Sequence, residues 1–355
     1  MHTHGHSRRD FLKQGLYGGA ALLVAPSVAP LGCGDGSLSA AAHRRRKAAA
    51  RVALTTGNDR ADMTFRALRE FQTEIAAGIG NKTVVIKPNN VSTSVPLCAT
   101  HADNLEAILE FLKSIGKDRN VLIAESCAGG STLTGFDNYG YNRVAAKYGA
   151  RLMDLDQMDF EVVGCLDERD MRPRPTRVSS LLMDPDAYVI STTKPKTHDT
   201  VVATLSLKNI VMAAPIKAPV DGTTRSDKRL VHGGGVWAIN YNLAALALRL
   251  HPHLAVIDGY EGMEGNGPVR GSRVDHRVCV VSPDWLAADR VAIELMGIDF
   301  ANVGYLNYCA QLGGLGVADL DRIEILGPAL AQHIVKYRLA DSIESQLRWR
   351  QPMRG

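Results

Sequence analysis

Thr83-Val84-Val85-Ile86-Lys87-Pro88-Asn89-Asn90, then Asp103 to Gly116, then Val121-Leu122-Ile123-Ala124-Glu125-Ser126, is the stretch that decides the fold. A short apolar, β-branched run stopped by a proline reads as a buried strand. Asp103 can cap a helix, and Leu105, Ile108, Leu109, Leu112 and Ile115 recur at helical spacing until Gly116 stops it. A second apolar strand follows at Val121. Strand, helix and strand in succession argue for an α/β chain with a mostly parallel or mixed central sheet and helices on both faces.

The same alternation extends in both directions. Val52-Ala53-Leu54 reads as a first strand and Thr64 to Ile79 as a helix. Downstream come a helix near Tyr141–Tyr148, a strand at Ala187–Ser191, a helix at Trp237–Leu250 and a strand at Leu254–Ile257. Val278–Val281, a helix from Asp284 to Met296 and Ile323–Leu326 close the series. This predicts a single α/β domain over 52–330, with an irregular, proline-rich excursion at about 156–185 and a helical tail at 331–355. No internal repeat is present.

The chain has 355 residues, 45% hydrophobic and 22% charged, which is ordinary for a globular protein with a sizeable core. A net charge of +4 is too weak to argue for nucleic acid. Of six cysteines, none forms a C-x-x-C pair, so neither an iron–sulfur cluster nor a zinc ribbon is expected. Cys98, Cys127, Cys165, Cys279 and Cys309 read mainly as small core residues.

Residues 1–42 read as an export leader. Ser7-Arg8-Arg9-Asp10-Phe11-Leu12-Lys13 matches the twin-arginine pattern, and a weakly apolar stretch from Gly15 to about Leu31 follows it, interrupted by Pro26 and Pro30. A spanning helix needs about 20 strongly apolar residues, so a removable signal fits better. Leu31-Gly32-Cys33-Gly34 resembles a lipoprotein cleavage box with Cys33 as the lipidated residue, while Ala40-Ala41-Ala42 offers an ordinary signal-peptidase site. Residues 43–51, with Arg44, Arg45, Arg46, Lys47 and Arg51, read as a basic tether. The expected partner in export is the twin-arginine translocase. The expected location is the periplasm or the outer face of the cytoplasmic membrane, either free or held by a lipid on Cys33.

Polar clusters sit directly after the strands. Lys87 and Asn89 follow one, Glu125 a second, Lys194, Lys196 and His198 a third, and Asp258 a fourth. Open α/β sheets bind ligands beyond the carboxyl ends of their strands, so one shared site is expected there. His101, His198, Glu125 and Lys208 are the candidate acid/base groups. Lys87, Asn89, Lys194, Lys196, Asn209 and Asn266 are candidates to hold a small anionic ligand. Asp258, Glu261 and Glu264, in a glycine-rich stretch with Asn266, offer oxygen ligands for a divalent metal, although the spacing is not that of an EF-hand. His232 and three following glycines open an apolar helix and can lie near a ligand.

These clusters, in this order, resemble the domain of unknown function 362 family. The matching stretches are V-V-I-K-P-N, T-H-A-D, E-S-C-A-G-G-S-T, T-T-K-P-K-T-H-D with T-L-S-L-K-N-I-V-M, and I-D-G-Y-E-G-M-E-G-N-G-P-V-R-G. L-A-A-D-R-V-A-I-E-L-M-G-I extends the match, which covers about residues 50–330. Many members of that family carry an added ferredoxin-like cysteine cluster, which this sequence lacks. The resemblance implies the fold class and the site but no reaction. The expectation is an exported enzyme acting on a small anionic molecule at a Lys/His-rich site, metal-assisted or not. The alternatives are a non-catalytic binding protein for an anion, metal or cofactor, and an assembly partner of a membrane complex.

Overall fold

A computed structural model describes residues 48–217 and 226–352. The leader, Cys33, the basic tether up to Lys47 and most of the polar loop before Lys228 lie outside the described residues. Arg51, read as the end of the tether, is already in the first strand.

The elements run β1 (Ala50–Thr56), α1 (Arg60–Arg69), α2 (Gln72–Ile79), β2 (Thr83–Lys87), α3 (Ala102–Ser114) and β3 (Val121–Glu125). Then follow α4 (Thr132–Asn138), α5 (Tyr141–Tyr148), β4 (Arg151–Asp154), β5 (Phe160–Asp167), β6 (Arg172–Ser179), β7 (Ala187–Thr193), β8 (Lys196–His198) and β9 (Val202–Thr204). The chain ends with α6 (Ser206–Ala213), α7 (Lys228–Val231), α8 (Val236–Ala247), β10 (Leu254–Asn266), β11 (Arg270–Ser282), α9 (Trp285–Leu295), α10 (Gly304–Leu312), β12 (Ile323–Leu326) and α11 (Ile343–Gln346).

The fold is α/β around a mixed 10-stranded sheet of order β12-β1-β11-β10-β7-β2-β3-β4, with β8 and β9 added beside β10. Strands β10, β7, β2, β3 and β4 are mutually parallel. Strand β11 runs antiparallel to both β10 and β1. Alternate residues of the central strands bury opposite faces. Val84, Ile86, Val121, Ile123, Ile190 and Val256 join Leu68, Ile75, Ile108, Leu112 and Val144 of the helices in one core. Val85, Leu122, Val189 and Ile257 point the other way and are buried as well; helices α6 and α9 pack against β7 and β10. Each buried Val, Leu or Ile is worth about 1.5–3 kcal/mol. An exposed pair such as Arg66–Asp62 is worth at most about 1 kcal/mol, so the two apolar faces hold the domain together.

Several sequence expectations need correction. The helix expected over Thr64–Ile79 starts earlier, at Arg60 behind an Asp59 cap, and breaks at Glu70–Phe71 into α1 and α2. Helix α3 is capped by His101, whose Nδ1 accepts from the Asp103 amide at 3.2 Å, so Asp103 occupies the first turn instead. The segment 156–185 contains a regular hairpin, with β5 and β6 paired from Phe160↔Ser179 to Asp167↔Arg172. Pro173 and Pro175 lie in one strand of a two-stranded hairpin, an edge position at which proline is tolerated. The glycine-rich stretch after Asp258 continues strand β10, helped by a register shift between Gly259 and Glu261 and by Gly265 at φ 80°. The tail after residue 330 carries short helical pieces at Leu330–His333, Ile343–Gln346 and Leu347–Arg350 joined by an extended stretch, and it packs into the domain with Tyr337 and Trp349 buried. The five described cysteines are free and buried. Among the described residues no helix is long and apolar enough to cross a membrane.

Candidate functional site

Strands β2, β3 and β7 end at one edge of the sheet, and helix α6 starts beside it. Lys87 ends β2, opposite Ser191 of β7, and Glu125 ends β3. The Lys87 ammonium lies 2.8 Å from Glu125 Oε1 and donates to Oε2 at 2.9 Å and to Asn209 Oδ1 at 2.8 Å. Glu125 also accepts from the Asn90 amide at 2.6 Å and the Ser126 amide at 2.7 Å. Asn209 Nδ2 returns a bond to the Lys87 carbonyl at 3.1 Å. Burial lowers the Lys87 pKa, and Glu125 opposes that shift. Lys87, Glu125 and Asn209 thus form a closed group whose bonding capacity is largely used.

Beyond this group opens a cavity of about 140 Å³. Its lining includes Asn89, Asn90, His198, Thr204, Lys208, Lys228 and His232 along with the closed group. Lys228 donates to the carbonyls of Met212 and Ala213, both at 3.1 Å, at the end of α6. Burial pushes it down to about 8. Lys208 is buried and, among the described residues, has no hydrogen-bond or ion-pair partner; burial pushes it down to about 8, with the nearby Asp199 opposing. His198 Nδ1 accepts from the Thr200 amide at 3.0 Å. Its neutral ring therefore carries the proton on Nε2. Burial, followed by the charge of Lys208, holds His198 well below its ordinary value. The same causes push His232 down to about 4. Among the described residues Asn90 Nδ2, Thr204 Oγ1 and His232 Nε2 are buried without a hydrogen-bond partner. A buried polar atom without a partner costs about 1–3 kcal/mol, so three on residues around one cavity, with an unpaired ammonium, leave polar bonding capacity unused there.

The frame around the cavity is anchored from distant segments. Asp289 of α9 accepts from the Ser206 amide at 2.9 Å, the Ser206 hydroxyl at 2.5 Å and the Leu207 amide at 3.1 Å. It thereby caps the helix that carries Lys208 and Asn209, and burial raises its pKa to about 7. Val202 sits at φ 69°, an uncommon conformation for a β-branched residue. Its amide donates to Gln346 Oε1 at 2.5 Å, so the tail braces the β8–β9 turn behind His198.

The remaining sequence candidates fall elsewhere. Arg60 Nε stands 3.0 Å from Asp258 Oδ2, but its N–H is directed to Oδ1 at 3.3 Å, so among the described residues Oδ2 has an ion pair and no hydrogen bond. Glu261 meets Arg60 at 3.1 Å, Lys194 at 2.7 Å and Arg273 at 3.0 Å. Burial and the charges of Arg60, Asp103 and Lys194 act on the His101 imidazole, lowering its pKa overall. Lys196 is buried, bonded to Thr193 Oγ1 at 3.2 Å and the Lys194 carbonyl at 3.1 Å, and pushed to about 7 by burial. Glu264 accepts from the Arg338 amide at 2.9 Å, and Asn266 pairs with Asp341. Asp258, Glu261 and Glu264 therefore do not converge as a metal site, because cations and the tail occupy them. Among the described residues no three His, Cys, Asp or Glu side chains come together in a way that would hold a metal.

The sequence reading did not single out Arg60, Asn90, Thr204, Lys228 or Asp289. Lys228 was hidden inside an apparent polar loop. Asp289 did carry a signal, an acidic residue on the buried face of an apolar helix.

Comparison with known proteins adds a frame. The family model described as a domain of unknown function (DUF362) matches residues 84–294. A thylakoid-associated protein of Synechocystis sp. is 25% identical over 247 residues, covering 68% of this chain and 72% of that one. A crystal structure of a Thermotoga maritima protein aligns with a TM-score of 0.33 at 13% identity, over 65% of this chain and 58% of that chain.

Proposed function

The chain belongs to the domain of unknown function 362 family, and from that premise we propose that it is an enzyme acting on a small anionic molecule held in the cavity beside Lys208. The observation that carries this reading is the unpaired Lys208 ammonium among unpartnered donors and acceptors of Asn90, Thr204 and His232. Lys208 and Lys228 hold the negative charge, and His198 presents its Nε2 proton to the guest. Lys87, Glu125 and Asn209 keep the edge of the cavity in shape. Calorimetric titration with acetate, pyruvate, phosphate and sulfate tests this. Saturable one-to-one binding that Lys208→Met abolishes is the expected result, and no binding by any of them would overturn it. Return of the bound molecule unchanged after prolonged incubation would reduce the role to capture.

We further propose export by the twin-arginine route, supported by Ser7–Lys13, with work at the outer face of a membrane. The thylakoid association of the Synechocystis relative supports a place at a membrane surface. Replacing Arg8 and Arg9 by Lys should trap the unprocessed chain in the cytoplasm. Normal processing of that variant would refute the route.

A further inference from the structure

Five deeply buried lysines surround the carboxyl edge of the sheet, and their partners separate them. Lys87 is paired with Glu125 and Asn209, and Lys194 with Glu261. Lys228 spends two donors on helix carbonyls. Lys196 is bonded to a hydroxyl and a carbonyl and does not line the cavity. Among the described residues Lys208 alone of the five has no partner, and it faces the cavity.

We propose that Lys208 is an amine nucleophile that forms an imine with the carbonyl carbon of a small 2-oxo acid held in this cavity. The inference rests on the anion-site reading and deepens it. An ammonium built only to bind charge gains from a fixed geometry of hydrogen bonds, as the other four have; a nucleophile needs its lone pair unengaged. Lys208 is also desolvated by burial, which favours the free amine, and it shares the lining of the cavity with Lys228. Lys228 retains a third N–H for the substrate carboxylate.

The step balances without an oxidant or reductant. The Nζ lone pair attacks the carbonyl carbon and the C=O π pair moves to oxygen, which accepts a hydrogen bond from His198 Nε2 and takes a proton from the attacking nitrogen. The resulting carbinolamine loses its C–O bond, the nitrogen lone pair forms C=N, and the oxygen leaves as water carrying the two hydrogens lost by the amine.

The test uses the full chain, pyruvate and sodium cyanoborohydride, read by intact mass and peptide mapping. The expected result is one adduct per chain, equal in mass to pyruvic acid less one oxygen atom, located on Lys208 and forming faster as pH rises through about 8. Lys208→Arg keeps the charge but cannot form the imine, so it should bind pyruvate and give no adduct. Pyruvate binding with no adduct on Lys208 of the native chain overturns the inference and spares the anion site. Absence of pyruvate binding overturns the inference, and the anion site falls with it only when acetate, phosphate and sulfate fail to bind as well. Adducts confined to other lysines overturn the inference even if the Lys208→Arg variant fails to fold.

Discussion

Lys87 and Glu125 end neighbouring parallel strands, and the buried ammonium of one lies 2.8 Å and 2.9 Å from the two carboxylate oxygens of the other. Two charges removed from water are held because each is met by its partner and by further hydrogen bonds, here from Asn209, Asn90 and Ser126. Removing one charge leaves the other uncompensated. Glu125→Gln should therefore cost about 3–5 kcal/mol in denaturant unfolding. Combining it with Lys87→Met should recover a large part of that loss. A double variant as unstable as the sum of the singles would show that the two residues are not coupled.

Lys208 gives a pH signature. Its folded pKa is about 8 against an ordinary 10.5, so between these values the unfolded chain holds a proton that the folded chain has released. By linkage the Lys208 contribution to stability rises with pH across that window. Below it, the buried charge costs about 3 kcal/mol. Lys208→Met should raise the stability of the ligand-free protein at pH 7 and remove the rise between pH 8 and 10.5. Anion binding favours the charged form, so affinity should fall as pH passes about 8, which titration calorimetry at several pH values would reveal.

Asp289 is predicted to position Lys208 by capping α6. Asp289→Ala should lower stability by about 1–3 kcal/mol, because it strands two buried amides. It should also weaken anion binding without touching the ligand. The carboxyl is raised to about 7, so between an ordinary 3.8 and that value the folded chain keeps a proton that the unfolded chain has lost. The Asp289 contribution therefore falls as pH rises from 4 to 7, by about 1.4 kcal/mol per unit. Asp289→Asn should abolish that slope in melts followed at several pH values, and an unchanged slope would refute the assignment.

Arg60 separates the two charged clusters. Arg60→Met leaves the buried Asp258 carboxylate without its ion pair and should cost roughly 3 kcal/mol near neutral pH. Anion affinity at the cavity should change less than about twofold, since Arg60 does not line it and distant substitutions act independently. A larger loss of affinity would mean that the clusters form one site.

Much of the frame was legible in the sequence because it follows from short-range periodicity. Val84-Val85-Ile86 and Val121-Leu122-Ile123 are apolar on both faces, and only a sheet covered on both sides buries them so. Strand ends are equally local, so Lys87, Glu125 and His198 could be named as candidates without coordinates. Where glycine and proline blur the period, the reading failed. The β5–β6 hairpin looked irregular because Pro173 and Pro175 interrupt it, and the second half of β10 looked like a loop because of its glycines. Their pairing comes from the neighbouring strand, and no local window contains that strand.

What the sequence determined by itself was the class of fold and the residue types at the carboxyl edge, since both depend on neighbours a few positions apart. What tertiary structure alone decided was which lysine is free. Lys194, Lys196 and Lys208 look alike along the chain. Glu261 reaches Lys194 from 67 positions away, whereas among the described residues no acidic or carbonyl group comes within hydrogen-bond distance of Lys208, Asp199 acting on it only by its charge. Charge pairing depends on distance in space, and burial raises the cost of leaving it incomplete, so the chemistry of this edge is set by long-range contacts.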